Sequence, residues 1–296
     1  MKTQMKADLM LLMVTLFWGV SYYMISLCLR EMGPFTINTY RFLGAFVVAA
    51  VFFLPRLKNV NKITIRYSIY IAVALYFTYM GATFGVKYTS VSNAGFLCAL
   101  TVVVVPILDF VFKKRVPERK LGIVVLMCLI GIALLTLTDE LTLAIGDLLC
   151  IMCAVAYAVD VVITETAVNK EEVNPFQLGI FQLFFTGIFC LITMLITEKP
   201  ALPQTGTVWF SIIFLAVFCT GAAYVIQCLA QCHTSAAHVG VIFTLEPVFS
   251  GLVAFFLAGE ILTPRAYVGA AILVSGLFIM ELDVKKIHRK LVKNRR

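Results

Sequence analysis

The sequence predicts an all-α integral membrane protein: ten transmembrane helices, arranged as two inverted five-helix repeats around a central cavity. Three observations carry that expectation. Of the 296 residues, 61% are hydrophobic and only 14% are charged, against about 25% charged in an ordinary soluble domain. The charges largely avoid ten apolar stretches, each near the roughly 20 residues that a helix needs to cross a hydrocarbon core of about 30 Å. The second half of the chain also repeats the polar punctuation of the first at an almost constant offset.

The stretches run, in order, over 8–28, 35–55, 67–86, 92–112, 121–138, 146–166, 175–196, 207–229, 235–257 and 265–282, with no connection long enough to hold a folded domain. The first is too long for a signal-peptide core and lacks a small-residue cleavage site, so it reads as a retained helix. It carries Thr15, Trp18, Tyr22 and Ser26 at helical spacing. The second holds Arg41 toward its outer end, and the third holds Tyr76, Tyr79 and Thr83. The fourth opens near Asn93 and contains Pro106, expected to break its helix. The sixth shows Cys150, Cys153, Tyr157, Asp160 and Thr164 on one face, and the eighth shows Thr220, Tyr224, Gln227 and Gln231. The ninth puts His238 near its start and Glu246 directly before Pro247, a second expected break. The fifth and tenth close the two halves, with Gly131 matched to Gly276.

The net charge of +8 is placed for a bilayer, not for nucleic acid. With the N-terminus in the cytoplasm, the cytoplasmic segments collect 19 Lys and Arg and the outer loops four. That is the positive-inside bias. It predicts a multi-pass protein of the cell (inner or plasma) membrane with both termini cytoplasmic, and a basic cytoplasmic tail at 284–296 that anchors against anionic lipid. The nine cysteines lie almost entirely within helices. The Cys150–Cys153 pair lacks a second pair or a histidine at ligand spacing, so no metal and no cofactor is expected and the thiols read as small packing groups.

The repeat is visible by alignment. "YMGATFGVKYTSVSNAG" (79–95) matches "YVIQCLAQCHTSAAHVG" (224–240) at an offset of 145, pairing Tyr79 with Tyr224 and Asn93 with His238. "GPFTINTYRF" (33–42) matches "NPFQLGIFQL" (174–183) at 141, pairing Arg41 with Gln182, while at 139 Trp18 pairs with Tyr157. The expected units are 1–143 and 144–283. Five helices are an odd number, so the second unit enters the bilayer upside down. Such repeats mark alternating-access carriers, with the binding site at mid-membrane between the halves.

In order along the chain, "LFWGVSYYMI", "YTSVSNAGFLCALTVVVVP", "TSAAHVGVIFTLEPVFSGLVAFFLAGE" and "YVGAAILVSGLFI" resemble the EamA-like permeases of the drug/metabolite transporter superfamily, over essentially the full chain. The resemblance implies ten helices around a central cavity, the fifth and tenth at the periphery, and usually export of small organic metabolites. It does not name a substrate. "AYAVDVV" departs from the family pattern, placing Asp160 where a histidine or neutral polar residue is expected.

Ionisable groups within a span cost about 2.5–3.5 kcal/mol on insertion scales and usually face a cavity or a partner. Asp160 and Glu246 are the deepest acids, and each is either a substrate or proton site or a structural group hydrogen-bonded between helices. Arg41 has three readings: snorkelling outward, pairing with an acid, or meeting substrate. Trp18, Tyr22, Tyr76, Tyr79, Tyr157, Tyr224 and Gln227 line the expected cavity or pack its walls, and Asn93 and His238 are candidate gating contacts. Asp109 and Glu165 are expected to be solvated near the inner interface. Two acids and one arginine disfavour phosphorylated substrates, which need several fixed cations, and suit neutral, zwitterionic or cationic metabolites, amino acids first. A secondary carrier, working either by facilitated diffusion or by proton exchange through a buried carboxylate, is the leading function; a lipid-carrier flippase or a membrane enzyme is the alternative. The partners are a small-molecule substrate and the bilayer, not nucleic acid, and a monomer or a homodimer both fit.

Overall fold

The computed structural model describes residues 2–88, 97–114, 116, 118–136, 145–258 and 263–281, and among these it is helical with no strand. The helices are α1 (Lys2–Cys28), α2 (Pro34–Leu57), α3 (Lys62–Tyr88), α4 (Thr101–Lys113), α5 (Arg119–Thr136), α6 (Ile145–Val168), α7 (Pro175–Thr197), α8 (Gly206–Gln231), α9 (Ala236–Leu257) and α10 (Pro264–Glu281). Seven of them (α1, α2, α3, α6, α7, α8 and α9) are long and apolar enough to cross a membrane. Large apolar side chains such as Phe52, Ile196 and Phe256 stand exposed on the outside of the bundle, the arrangement expected when the surrounding solvent is lipid. Asn93 and the basic tail 284–296 lie outside the described residues.

The packing places α3 against α6 and α7, α2 against α7 and the middle of α8, α1 against α8 and α9, and α4 against α6 and α9. α5 and α10 pair with each other and touch the rest of the bundle little, so they stand at its edge. α3 and α6 approach each other closely at Gly81. A Cβ on Gly81 would lie 2.6 Å from the Leu149 carbonyl oxygen and 2.9 Å from the Cys153 nitrogen. Small residues let helix backbones meet this way in lipid, where no hydrophobic force drives helices together. The close contact is backbone, which cannot swing aside, so Gly81→Ala is expected to lower stability by about 1–3 kcal/mol. A thermal melt of the purified protein in detergent checks this, and an unchanged midpoint contradicts it.

Polar contacts tie the helix ends together. At one end Glu198, after α7, accepts from the Phe35 and Thr36 amides and the Thr36 hydroxyl, each at 2.9 Å, placing a carboxylate on the first turn of α2. At the same end Glu31, after α1, accepts from the Thr205 hydroxyl and the Gln204 amide, both at 2.7 Å, where α8 begins. Those two bonds, the Thr205 hydroxyl first, hold the Glu31 carboxyl below the usual carboxylate range. At the other end the Gln177 amide of α7 donates to the Arg56 carbonyl oxygen at 2.9 Å. The Asn61 side chain before α3 donates to the Glu172 carbonyl oxygen after α6.

Four irregularities shape the helices. α2 kinks at Phe53 (φ −123°, ψ 18°), two residues before Pro55. α8 widens to a π-helical turn over Leu215–Ala222, and α9 ends in a second one over Ala254–Ala258. α9 is also interrupted at Thr244 and Leu245, whose amides make short-range bonds to the Val241 and Ile242 carbonyls at 3.2 and 3.1 Å. Pro247, with no N–H for the Phe243 carbonyl, adds to this interruption, and the regular ladder restarts at Glu246. Pro106 behaves differently from the expectation: α4 runs through it from Thr101 to Lys113 without a break. One proline removes a single ladder bond, and its fixed φ is helical, so the flanking turns hold the axis.

Candidate functional site

Six helices (α1, α2, α3, α6, α8 and α9) bring aromatic and polar side chains together at the centre of the bundle. Trp18 of α1 is the hub, 5% exposed. Its ring centroid lies 4.8 Å from Phe243, 5.6 Å from Tyr224 and 5.7 Å from Tyr157, within the range for favourable edge-to-face contacts. Tyr157 stacks on Phe243 at 6.0 Å, and Phe42 meets Tyr79 edge-on at 4.8 Å. The Tyr224 hydroxyl donates to the Tyr79 hydroxyl at 2.9 Å. Trp18 with Tyr157, and Tyr79 with Tyr224, are the pairs that the sequence repeat makes equivalent, and each pair meets directly.

The π-helical turn of α8 faces this cluster. The Cys219 carbonyl oxygen accepts from Trp18 Nε1 at 3.0 Å and from Arg41 Nη2 at 3.4 Å. The Thr220 hydroxyl accepts from Arg41 Nε at 2.8 Å. Wide π turns often accompany functional sites, and here one presents a carbonyl and a hydroxyl to side chains from two other helices.

Arg41 departs from two of its three sequence-based readings. It is 1% exposed, so it does not snorkel, and among the described residues it makes no ion pair with a carboxylate. Its guanidinium lies 4.7 Å from the Tyr79 ring centroid, a cation–π contact, and its Nη1 has no hydrogen-bond partner. The physical reason is the face it occupies: Arg41 lies on the side of α2 that packs against α8, where Thr220 and the Cys219 carbonyl hold its guanidinium inside the bundle.

The two acids sit on other helices. Asp160 of α6 is fully buried and has no basic partner among the described residues. Its oxygens accept from the Thr164 hydroxyl at 3.3 Å and from Gln227 Nε2 at 3.4 Å, both long bonds. Gln227 donates to Gln231 at 3.2 Å, and Gln231 donates to the Val161 carbonyl at 2.9 Å, so the amide face of α8 fastens to α6. Glu246 is half-buried at the restart of α9. It hydrogen-bonds the Tyr22 hydroxyl and lies within electrostatic reach of Tyr79 and Tyr157. The Tyr157 hydroxyl and the Gln227 carbonyl oxygen have no hydrogen-bond partner. The centre therefore combines a cation, two acids and open polar atoms inside aromatic walls.

Not every predicted residue joins it. Tyr76 faces α7 instead, its hydroxyl 2.8 Å from the Thr193 hydroxyl, in an outer groove of about 310 Å³ shared with Phe77 and Phe189. A three-residue step turns it about 60° away from Tyr79, enough to point at a different neighbour. A larger groove of about 620 Å³ between α3 and α6 is lined by Tyr70 and by apolar side chains such as Phe77, Met152 and Val159, with no acid. His238 lies at a helix end, its Nε2 3.2 Å from Asp8, beside a Gln4 side chain that donates to Asp8 at 3.0 Å and to Thr234 at 2.9 Å. Asp109 and Glu165 are buried, contrary to the expectation of solvation, because Lys113 reaches both, Asp109 at 3.0 Å. Phe42 and the Cys219 carbonyl were not predicted. A π turn leaves no residue pattern that would have revealed the carbonyl.

Comparison with known proteins finds relatives over nearly the whole chain. A relative named an uncharacterised transporter, from Archaeoglobus fulgidus, is 31% identical over 278 residues, covering 94% of this chain and 86% of the relative. A second protein of the same name and organism is 25% identical over 284 residues, covering 93% and 96%. A solved crystal structure at 18% identity superposes with a TM-score of 0.81, covering 95% of this chain and 98% of that one, a likeness that speaks to the fold alone. The sequence profile of the EamA-like transporter family matches twice, over residues 5–137 and 144–282. A multi-pass helical bundle with a polar centre, transporter-named relatives and two family matches along one chain lead to one conclusion: the protein belongs to the EamA-like transporter family.

Proposed function

We propose that the protein is a secondary carrier that exports a small organic metabolite by alternating access, through a site at the centre of two oppositely oriented five-helix halves, residues 1–143 and 144–283. The observation that carries this reading is the meeting of repeat-equivalent residues, Trp18 with Tyr157 and Tyr79 with Tyr224, at one point between the halves.

The end contacts support the inversion. Glu31 and Glu198 put the C-terminus of α1, the N-terminus of α2 and the C-terminus of α7 at one end of the bundle. Gln177 and Asn61 put the N-terminus of α7 and the C-terminus of α6 at the other. On this reading α1 and α6, which are equivalent, run in opposite directions, as do α2 and α7. The packing pattern also maps onto itself when each helix is exchanged for the one five places along: α3 with α6 becomes α8 with α1, and α4 with α6 becomes α9 with α1. Ten crossings, cytoplasmic termini and a cell-membrane location follow from this topology and from the distribution of basic residues.

Asp160 and Glu246 are the proposed coupling acids, with proton and substrate binding to one carboxylate in turn. Amino acids and related amphipathic compounds are the favoured cargo: the aromatic walls hold an apolar body, and the acids hold an ammonium group. The test is a counterflow screen of purified protein in liposomes against amino acids, amines, nucleosides and sugars. Exchange of at least one amino acid or amine above empty liposomes is expected. Exchange of none of the four classes, with lipid-linked compounds moved instead, would replace the carrier reading with a flippase.

A further inference from the structure

We propose that Arg41 is an anion subsite, completed when a carboxylate of the transported molecule supplies its missing counter-charge. The proposal rests on the carrier reading above and adds a chemical requirement to it: the cargo carries a carboxylate.

A guanidinium has five donors and a permanent charge, and burying it away from water is costly unless an anion compensates it. Arg41 is 1% exposed and makes no ion pair with a carboxylate among the described residues. Its Nε is held by the Thr220 hydroxyl at 2.8 Å, and its Nη2 contacts the Cys219 carbonyl at 3.4 Å and the Tyr79 hydroxyl at 3.5 Å. These neutral acceptors orient the group without neutralising it. The Nη1 donor is left with no partner. A positioned guanidinium edge with an open donor is the shape that carboxylates bind, often through two parallel bonds.

The neighbours fit a small carboxylate better than a phosphate. Tyr79 stands over the guanidinium and beside Tyr224, so an aromatic surface continues from the cation toward Trp18. Arg41 supplies a single positive charge beside the Tyr79 ring, which leaves a dianion half-neutralised. Asp160 and Glu246 lie on α6 and α9, across the cluster from α2. The positive and negative groups are thus on different helices, and Tyr79 lies within electrostatic reach of both Arg41 and Glu246.

The experiment measures thermal stability of the full-length protein in detergent with matched pairs: phenylacetate against phenylacetamide, and phenylalanine and leucine against their amides, with sodium chloride at equal ionic strength. At least one carboxylate is expected to raise the melting midpoint in a concentration-dependent way, its amide at least tenfold more weakly. The shift is expected to vanish in Arg41→Gln. In Arg41→Lys, which keeps the charge and loses the planar fork, it is expected to be reduced. An equal shift from chloride alone would identify the counter-charge as an inorganic ion and overturn the proposal. Absence of a carboxylate-specific shift in the unmodified protein would overturn it too, independently of how the variants fold. Counterflow of amines or sugars would then leave the carrier reading standing, which separates the two failures.

Discussion

Asp160→Asn is expected to leave the protein folded, to reduce exchange by about tenfold or more, equivalent to ~1.4 kcal/mol at the rate-limiting step, and to remove the pH dependence of what remains. Asparagine has nearly the shape of aspartate, so the packing of a fully buried site is retained. The Thr164 hydroxyl bond stays within α6, and the Gln227 amide bond, at 3.4 Å, is too long to anchor α8 to α6 by itself. With no ion pair to lose among the described residues, the variant forfeits a titrating charge and little else. An acid that binds a proton on one side and releases it on the other makes exchange follow pH, whereas an amide is neutral at every pH. Glu246→Gln is the internal comparison. A flat profile in that variant, with the wild-type profile retained in Asp160→Asn, would move the coupling role to α9.

Trp18→Ala is expected to give the largest loss of stability, about 3–5 kcal/mol, typical of removing a buried tryptophan. The indole touches Tyr157, Tyr224 and Phe243 and donates to the Cys219 carbonyl, so truncation opens a void where four helices meet. Trp18→Phe retains most of the ring contact and deletes the indole donor, at about 1 kcal/mol. Thermal or SDS-titration unfolding in detergent distinguishes them. Near-equal losses would mean that the hydrogen bond, and not the packing, holds the hub.

The helical elements were legible because lipid imposes one rule, runs of about 20 apolar residues with satisfied backbones. The drift in offset between the repeats, from 139 to 145, did not obscure the pairs Trp18–Tyr157 and Tyr79–Tyr224, because aromatic character survived at both positions of each pair. What hid was geometry that periodicity does not encode. Tyr76 lies one turn short of Tyr79, and a rotation of about 60° sends it to Thr193 instead of the centre. The sequence marks Pro106 and Pro247 alike, yet only α9 is interrupted. Its interruption comes at Thr244 and Leu245, which already make three-residue bonds before the proline. Arg41 looked like an outer-end residue because its depth along α2 could be counted, while its cover by α7 and α8 could not. The π turn of α8, which offers the Cys219 carbonyl to Trp18 and Arg41, has no residue signature at all.

The opposed orientation of the two halves is the claim on which the central site depends, and labelling tests it most directly. Arg30 and Glu171 occupy equivalent repeat positions, 141 residues apart, and both are exposed. Single cysteines there, Arg30→Cys and Glu171→Cys, are placed in turn in a background whose native cysteines are replaced, and intact cells are treated with a membrane-impermeant maleimide. Position 30 is expected to label from outside, and position 171 only after the membrane is opened. Labelling of both positions from the same side would contradict the opposed orientation.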